Sequence, residues 1–133
     1  DLLFIDLDSY IEECEKMSIT TIFDEKGEIY FRKIESEYLK QLFELKNECI
    51  ISLGGGTPCY SNNMDMVTEN AQSFYLKASI KTLFNRLKNQ SSKRPLVSVI
   101  GVGNLMEFIA KHLFERNIFY DKAYFCNFRQ FCE

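Results

Sequence analysis

The sequence predicts an α/β fold in which helices alternate with the strands of a doubly wound parallel sheet. Short apolar runs bounded by turn residues recur along the chain, and the run that ends in three glycines at 54–56 is typical of a strand buried on both faces. Between these runs, apolar residues recur every three or four positions, which is the spacing of a helix that packs one face on a core.

The elements can be placed in order along the chain. The predicted strands are Leu2–Ile5, Ile50–Leu53, Ser73–Ala78 and Ala123–Cys126. The predicted helices are Tyr10–Met17, Ile19–Lys26, Glu28–Lys46, Asn62–Glu69, 80–88 and Leu105–Phe114. Ser18 and Ser79 are predicted N-caps, Gly27 ends a helix, and Arg116 ends the last one, where a cation favours the helix dipole. Ile34, Tyr38, Leu42 and Leu45 form the predicted buried stripe of the longest helix.

Length, charge and cysteine content limit the class of protein. The 133 residues predict a single domain, 1–133, and a net charge of −3 argues against non-specific binding to nucleic acid or to an anionic membrane. No apolar stretch has the length of a membrane span, and no basic-then-apolar signal pattern opens the sequence. The 5 cysteines form no CxxC pair, so we expect reduced thiols in a cytoplasmic protein.

Two aspartates, Asp6 and Asp8, follow the first predicted strand. In extended backbone, side chains at this spacing point to the same side. Paired carboxylates there suit the coordination of a metal-bound water or of substrate hydroxyls, because both supply hard oxygen ligands. The alternative is that Asp8 or Ser9 caps the following helix, which explains one aspartate but not two.

Three further features point to a small-molecule site. Gly54, Gly55 and Gly56 follow a strand, where ligands bind in open α/β sheets, and a backbone without side chains can approach a ligand closely. Arg32 stands near the start of a helix, where the dipole disfavours a cation, so it is either a solvated surface residue or an anion ligand. Residues 94–103 predict a mobile surface loop with glycine hinges, or else an ordinary loop that carries Arg94.

Five motifs extend over nearly the whole chain: FIDLD (Phe4–Asp8), FRKIE (Phe31–Glu35), SLGGGTP (Ser52–Pro58), KRPL (Lys93–Leu96) and RNIFY (Arg116–Tyr120). Each is common by itself, but the five in this order resemble shikimate kinase, a family of P-loop, nucleoside-monophosphate-kinase-like α/β proteins. The resemblance implies a cytoplasmic, monomeric kinase of aromatic amino-acid biosynthesis, which transfers the γ-phosphoryl group of ATP to shikimate with the help of Mg²⁺.

The resemblance also implies a role for each matching residue. The implied shikimate-binding residues are Asp8, Arg32, Gly54, Gly55, Gly56, Arg116, Phe23 and Glu35. The residues implied on the nucleotide side are Arg94 and Arg86 at ATP and Asp6 at Mg²⁺, through water. Asp8 is the implied proton acceptor for the attacking hydroxyl, and Arg94 the catalytic arginine of a lid at 94–103. Arg32 and Arg116 suit the substrate carboxylate, since a guanidinium group binds a carboxylate bidentately.

The sequence departs from the family pattern in one respect. The phosphate-binding loop, G-x-x-x-x-G-K-[ST], does not occur in these 133 residues, and in the family it precedes the FIDLD strand. We therefore expect the chain to lack the family's first, central strand, that loop and the first helix. The sheet should be interrupted at its centre, and the chain should be inactive by itself. Two alternatives stay open: a related P-loop kinase for another hydroxy acid such as gluconate, and a remnant that binds a small acid without turnover.

Overall fold

A computed structural model of the chain describes residues 2–90 and 95–128. Helices and strands alternate in it, as predicted. In chain order the elements are β1 (Leu3–Asp6), α1 (Leu7–Glu15), α2 (Ile19–Glu44), β2 (Cys49–Ser52), a 3-10 turn (Thr57–Cys59), α3 (Asn63–Asn70), β3 (Phe74–Lys77), α4 (Ile80–Leu87), α5 (Pro95–Ile100), α6 (Val102–Tyr120) and β4 (Phe125–Phe128).

The strands form two parallel pairs. β1 pairs with β2, so that Leu3 lies opposite Cys49 and Asp6 opposite Ser52. β3 pairs with β4, with Phe74 opposite Phe125. Within residues 2–90 and 95–128 no strand bonds to both pairs.

The chain divides into two compact units, residues 1–71 and 72–133. In the first unit, α1 packs against α2 over an apolar core. The buried apolar residues of this core are Leu7, Ile11, Ile22, Phe31, Ile34, Leu39, Leu42, Met64 and Val67. In the second unit, α4 and α5 pack against α6 around Val97, Leu105 and Ile109. That 1–133 form a single domain stays a prediction.

The entry into α1 differs from the prediction. Asp6, not Asp8 or Ser9, is the N-cap, and its Oδ1 accepts a hydrogen bond from the Ser9 amide at 3.0 Å. The helix therefore begins directly after β1, well before Tyr10, and Asp8 lies in its first turn. The expectation that both aspartates belong to extended backbone is wrong, because the Asp6 side chain starts the helix at once.

The helices predicted between residues 18 and 46 are present, but the last residue of the predicted buried stripe is not buried. Ser18 caps α2 by accepting from the Thr21 amide at 3.1 Å. Gly27, with φ 85° and ψ 169°, breaks the helical backbone where the sequence predicted a stop. Leu42 is buried, but Leu45 is 57% exposed, so its place in the buried stripe is wrong. Leu45 is the C-cap residue, beyond the last turn that packs on the core.

In the second unit, Ser79 caps α4 as predicted, with its Oγ 3.1 Å from the Thr82 amide. Residues 95–100 are helical where a loop was predicted, and Gly101 (φ 75°) separates this helix from α6. α6 continues to Tyr120, so Arg116 lies inside the helix and does not end it.

Apolar side chains of both strand pairs are exposed. Phe4 and Ile50 lie opposite each other and are 63% and 52% exposed. Phe74 and Leu76 of β3 are 63% and 62% exposed. The prediction of a strand buried on both faces before the glycines is therefore wrong for Ile50, because its side chain is left about half exposed.

Candidate active site

The guanidinium group of Arg32 is held on several sides. Its Nη1 donates to Glu35 Oε2 at 2.9 Å, one turn further along α2. Its Nε lies 3.6 Å from Glu28 Oε1, one turn before it. The ring centroid of Tyr60 is 4.0 Å from Cζ, a cation–π contact. Arg32 is thus not a freely solvated residue, because contacts within the chain set its position.

The glycine segment brings Arg32 and Asp8 to neighbouring positions. A Cβ on Gly56 would lie 2.9 Å from both Nη1 and Nη2 of Arg32, closer than real Cβ contacts, so a side chain at position 56 would displace the guanidinium group. A Cβ on Gly54 would lie 3.5 Å from both carboxylate oxygens of Asp8 and 3.4 Å from Thr57 Oγ1. The segment therefore carries a carboxylate at one end and a guanidinium group at the other.

A buried polar network supports this arrangement. Glu35, Thr57 and Asn63 are 1%, 0% and 0% exposed. Thr57 Oγ1 donates to Glu35 Oε1 at 2.7 Å, and Asn63 Nδ2 donates to the Thr57 carbonyl at 2.9 Å. Both oxygens of the buried Glu35 carboxylate thus have donors, which offsets the cost of burying its charge.

Sequence reasoning identified Glu35 but missed Thr57, Asn63 and Tyr60. Thr57 lies within the motif SLGGGTP, next to the glycines, which was a usable signal. Asn63 and Tyr60 had none, because their contacts depend on how the 3-10 turn and α3 pack against α2.

The electrostatic environment of Asp8 favours its protonated form. Burial raises the pKa of Asp8 above its ordinary value, and repulsion from Asp6, Glu35 and Glu12 raises it further, whereas Arg32 lowers it. A carboxylate with a raised pKa holds a proton more firmly and is a stronger general base once ionised.

The other predicted site residues are placed as follows. Phe23 is partly buried, with its ring centroid 4.6 Å from that of Phe31, the residue before Arg32. Gly55 is exposed between the two glycines that contact Asp8 and Arg32. Arg116 on α6 and Arg86 in the last turn of α4 belong to the second unit. Arg94 lies outside the described residues.

Asp6 is the residue that the resemblance implies at Mg²⁺, and its surroundings can be compared with what that ion requires. No cluster of three or more His, Cys, Asp or Glu side chains able to hold a metal occurs in the described part of the chain. Mg²⁺ usually keeps several waters and needs only one or two carboxylates beside substrate phosphates. Asp6 Oδ1 is taken by the Ser9 amide, which leaves its second oxygen for such a water.

Solved structures define the class of protein. Shikimate kinase from Bacteroides thetaiotaomicron superimposes with a TM-score of 0.86 at 34% identity, over 96% of this chain and 72% of that one. Shikimate kinase from Acinetobacter baumannii in complex with shikimate has the same fold, with a TM-score of 0.81 at 24% identity, over 97% and 70%. The chain therefore has an α/β fold of the P-loop kinase type.

Sequence comparison then identifies the family. The shikimate kinase family model matches residues 1–130. The chain is 50% identical to shikimate kinase of Flavobacterium johnsoniae over 121 aligned residues. The aligned region covers 90% of this chain and 70% of that protein. The chain is 46% identical over 121 residues to the enzyme of Flavobacterium psychrophilum, with the same coverage. The chain belongs to the shikimate kinase family.

Proposed function

We propose that the first unit carries the shikimate-binding part of the active site, with Arg32 on the substrate carboxylate and Asp8 on the hydroxyl that is phosphorylated. Family membership makes the protein an ATP-dependent phosphotransferase that acts on shikimate, as the motifs predicted. The observation that carries the proposal is the placement of opposite charges at the two ends of Gly54–Gly56. That placement matches a small acid whose carboxylate and hydroxyls lie at opposite ends.

Arg32 has donors left for a carboxylate. Nη1 uses one of its two N–H groups on Glu35, and Nη2 has no hydrogen bond among the residues described. Nη1 and Nη2 together form the fork that binds a carboxylate bidentately. Both nitrogens lie beside Gly56, so the substrate carboxylate would approach along the glycine backbone. Arg116 is proposed as the second arginine at this carboxylate, and Phe23 as part of the pocket wall.

Asp8 would orient the reacting hydroxyl and accept its proton. As the hydroxyl oxygen bonds to the γ-phosphorus of ATP, the bond from that phosphorus to the bridging oxygen breaks and ADP leaves. The hydroxyl proton passes to the Asp8 carboxylate, whose raised pKa suits this transfer. Positioning supplies most of the remaining catalysis in phosphoryl transfer.

The nucleotide side of the proposal rests on residues with fewer described contacts. Asp6 would hold a water of Mg²⁺, and the ion would neutralise charge on the phosphates when bound. Arg94, at the start of a lid of residues 94–103 that contains α5, and Arg86 would bind the phosphates of ATP.

We also propose that the protein is a cytoplasmic monomer. In the described part of the chain Cys14, Cys49, Cys59 and Cys126 form no disulfide, and cysteines outside disulfides are typical of a reducing compartment. Among residues 2–90 and 95–128, no helix has the length and hydropathy needed to cross a membrane. Size-exclusion chromatography under reducing conditions tests the monomer.

The proposed function can be tested with three acceptors: shikimate, its methyl ester and gluconate. The protein is produced from the complete coding sequence that contains this chain, and ADP formation is followed. We expect turnover of shikimate but not of gluconate, and a Michaelis constant for the ester raised at least about 30-fold, from the loss of a desolvated charge pair.

Variants locate the carboxylate site. Arg32→Ala should remove most of the discrimination between acid and ester, whereas Lys33→Ala, which removes an exposed neighbouring cation, should keep it. Equal use of acid and ester by the wild type would contradict the placement of the carboxylate on Arg32. Turnover of gluconate without shikimate would contradict the function itself.

A further inference from the structure

We propose that Thr57 is a positioning residue for the substrate-binding arginine, and that it acts through Glu35. The inference rests on the proposed function, in which Arg32 binds the shikimate carboxylate. It concerns a hydroxyl that contacts neither the arginine nor, in this proposal, the substrate.

The first step is the bond between Thr57 and Glu35. Thr57 is fully buried, and its Oγ1 donates to Glu35 Oε1 at 2.7 Å. The other oxygen, Oε2, accepts from Arg32 Nη1 at 2.9 Å. With one donor on each oxygen, the carboxylate cannot rotate without breaking a bond. The Thr57 hydroxyl thereby determines the orientation in which Glu35 holds the guanidinium group.

The second step is that Thr57 is itself held. Its amide donates to the Gly54 carbonyl at 3.1 Å, and its carbonyl accepts from Asn63 Nδ2 at 2.9 Å. Gly54 is the glycine that lies against the Asp8 carboxylate. A continuous set of bonds therefore runs from the segment beside Asp8, through Thr57 and Glu35, to Arg32.

Thr57 adds a contact from outside α2 to an ion pair that lies within that helix. Arg32 and Glu35 lie three positions apart on one helix, and such a pair by itself stabilises only weakly and keeps rotamer freedom. Thr57 comes from a different element, so its bond ties this helical pair to the glycine segment. The guanidinium group is then fixed relative to the glycine segment beside Asp8, which suits a substrate with a fixed ring.

The test is Thr57→Val, which keeps the shape and removes the hydroxyl. We expect the Michaelis constant for shikimate to rise about 10-fold, the size of a lost hydrogen bond to a charged group, with kcat and the Michaelis constant for ATP within about twofold. Thr57→Ser should restore it. Thr68→Val, which removes a hydroxyl bonded to a carbonyl of its own helix at 2.8 Å, should leave the constants unchanged.

A second comparison separates positioning from a purely structural role. In an Arg32→Ala background, Thr57→Val should no longer raise the Michaelis constant for shikimate, because the residue through which it acts is gone. If Thr57→Val does not fold, Thr57→Ala, which leaves room for a water, takes its place in both backgrounds.

Three results would overturn the inference. The Michaelis constant for shikimate could be unchanged in the folded Thr57→Val variant, or the Michaelis constant for ATP could rise by the same factor. The third is an equal rise in the Michaelis constant for shikimate when Thr57→Val is combined with Arg32→Ala. Each leaves the proposed function intact as long as the wild type phosphorylates shikimate. A wild type that does not phosphorylate shikimate overturns the proposed function, and the inference with it.

Discussion

The two compact units bury different kinds of side chain. In the first, Glu35, Thr57 and Asn63 lie in the interior beside the apolar core, joined by hydrogen bonds. In the second, the buried side chains that the structure describes are Val97, Leu105 and Ile109, all apolar. Buried polar groups are costly unless they are satisfied. Both oxygens of Glu35 accept hydrogen bonds, which orders their surroundings, whereas Asn63 Oδ1 has no partner in the part of the chain that the structure describes. The first unit is thus built to hold polar groups in place, and the second to pack helices.

The arginines of the two units differ in how firmly contacts within the chain hold them in place. Arg32 is held by Glu35 and Tyr60 before any ligand binds. Arg116 has no hydrogen bond or ion pair among the described residues, and Arg86 is exposed. A side chain that is already ordered loses less freedom when it binds. In the proposed site, Arg32 would therefore be a preformed ligand of the substrate, whereas Arg116 and Arg86 would have to be ordered on binding.

Loss of the carboxylate at Asp8 should have the largest effect. Asp8→Asn keeps the shape but cannot accept the proton, so kcat should fall by about 10²–10⁴-fold. Glu13→Gln, a matched change on an exposed position of α1, should leave kcat unaltered. A raised folded-state pKa means that ionised Asp8 costs stability as pH rises through that pKa. The melting temperature of Asp8→Asn at pH 7 should therefore be no lower than that of the wild type. Full activity of Asp8→Asn would refute the assignment.

Substitution of the two arginines should have the next largest effects, and the loss of shikimate affinity should differ between them. Arg32→Ala should weaken shikimate binding by about 2–5 kcal/mol, and Arg116→Ala by an amount near the lower end of that range. The smaller effect follows because Arg116 has to be ordered by the substrate. Titration of both variants with shikimate checks the order. Equal losses would remove the distinction between a preformed and an induced arginine, and no loss for Arg116→Ala would exclude it from the carboxylate site.

The apolar interior of the second unit should affect stability directly. Leu105 is 1% exposed, and Leu105→Ala should lower the free energy of unfolding by about 2–5 kcal/mol, through lost burial and the cavity that remains. Met106→Ala, on the exposed side of the same helix, should cost far less. Urea unfolding of both variants measures the difference; similar midpoints for the two would contradict the core that we describe for α4–α6.

The smallest expected effect is electrostatic. If Asp8 must be ionised to accept the proton, kcat/KM for shikimate falls as pH decreases through its pKa, which lies above the ordinary value. Glu12 contributes to this rise by repulsion, so Glu12→Gln should lower the pKa of Asp8 and move the acidic limb to lower pH. Glu12 Oε1 accepts a hydrogen bond from the Ile19 backbone amide at 2.8 Å. The side-chain oxygen of the Glu12→Gln variant can still accept this bond. A shift to higher pH would contradict this account of the site.

Much of the local structure followed from the sequence alone. Ser18 and Ser79 cap helices, and Gly27 breaks one, because these effects involve a side chain or a backbone angle and its nearest neighbours. The alternation of helices and strands and the five motifs predicted the fold class and the family. Asp6 was predicted at the end of the first strand, but only the structure revealed that it, and not Asp8, caps α1. Both residues are chemically able to cap, and the choice depends on where the strand ends.

Contacts between residues that are distant in the sequence were decided only by the tertiary structure. The Thr57–Glu35 bond joins residues 22 positions apart, and the approach of Gly56 to Arg32 likewise depends on how the glycine segment packs on α2. Periodicity also could not show that Ile50 is exposed, because the pattern of a strand is the same whether one face or both are covered. Local bonding and spacing are properties of a short segment, whereas burial and the partner of a polar group are properties of the packed chain.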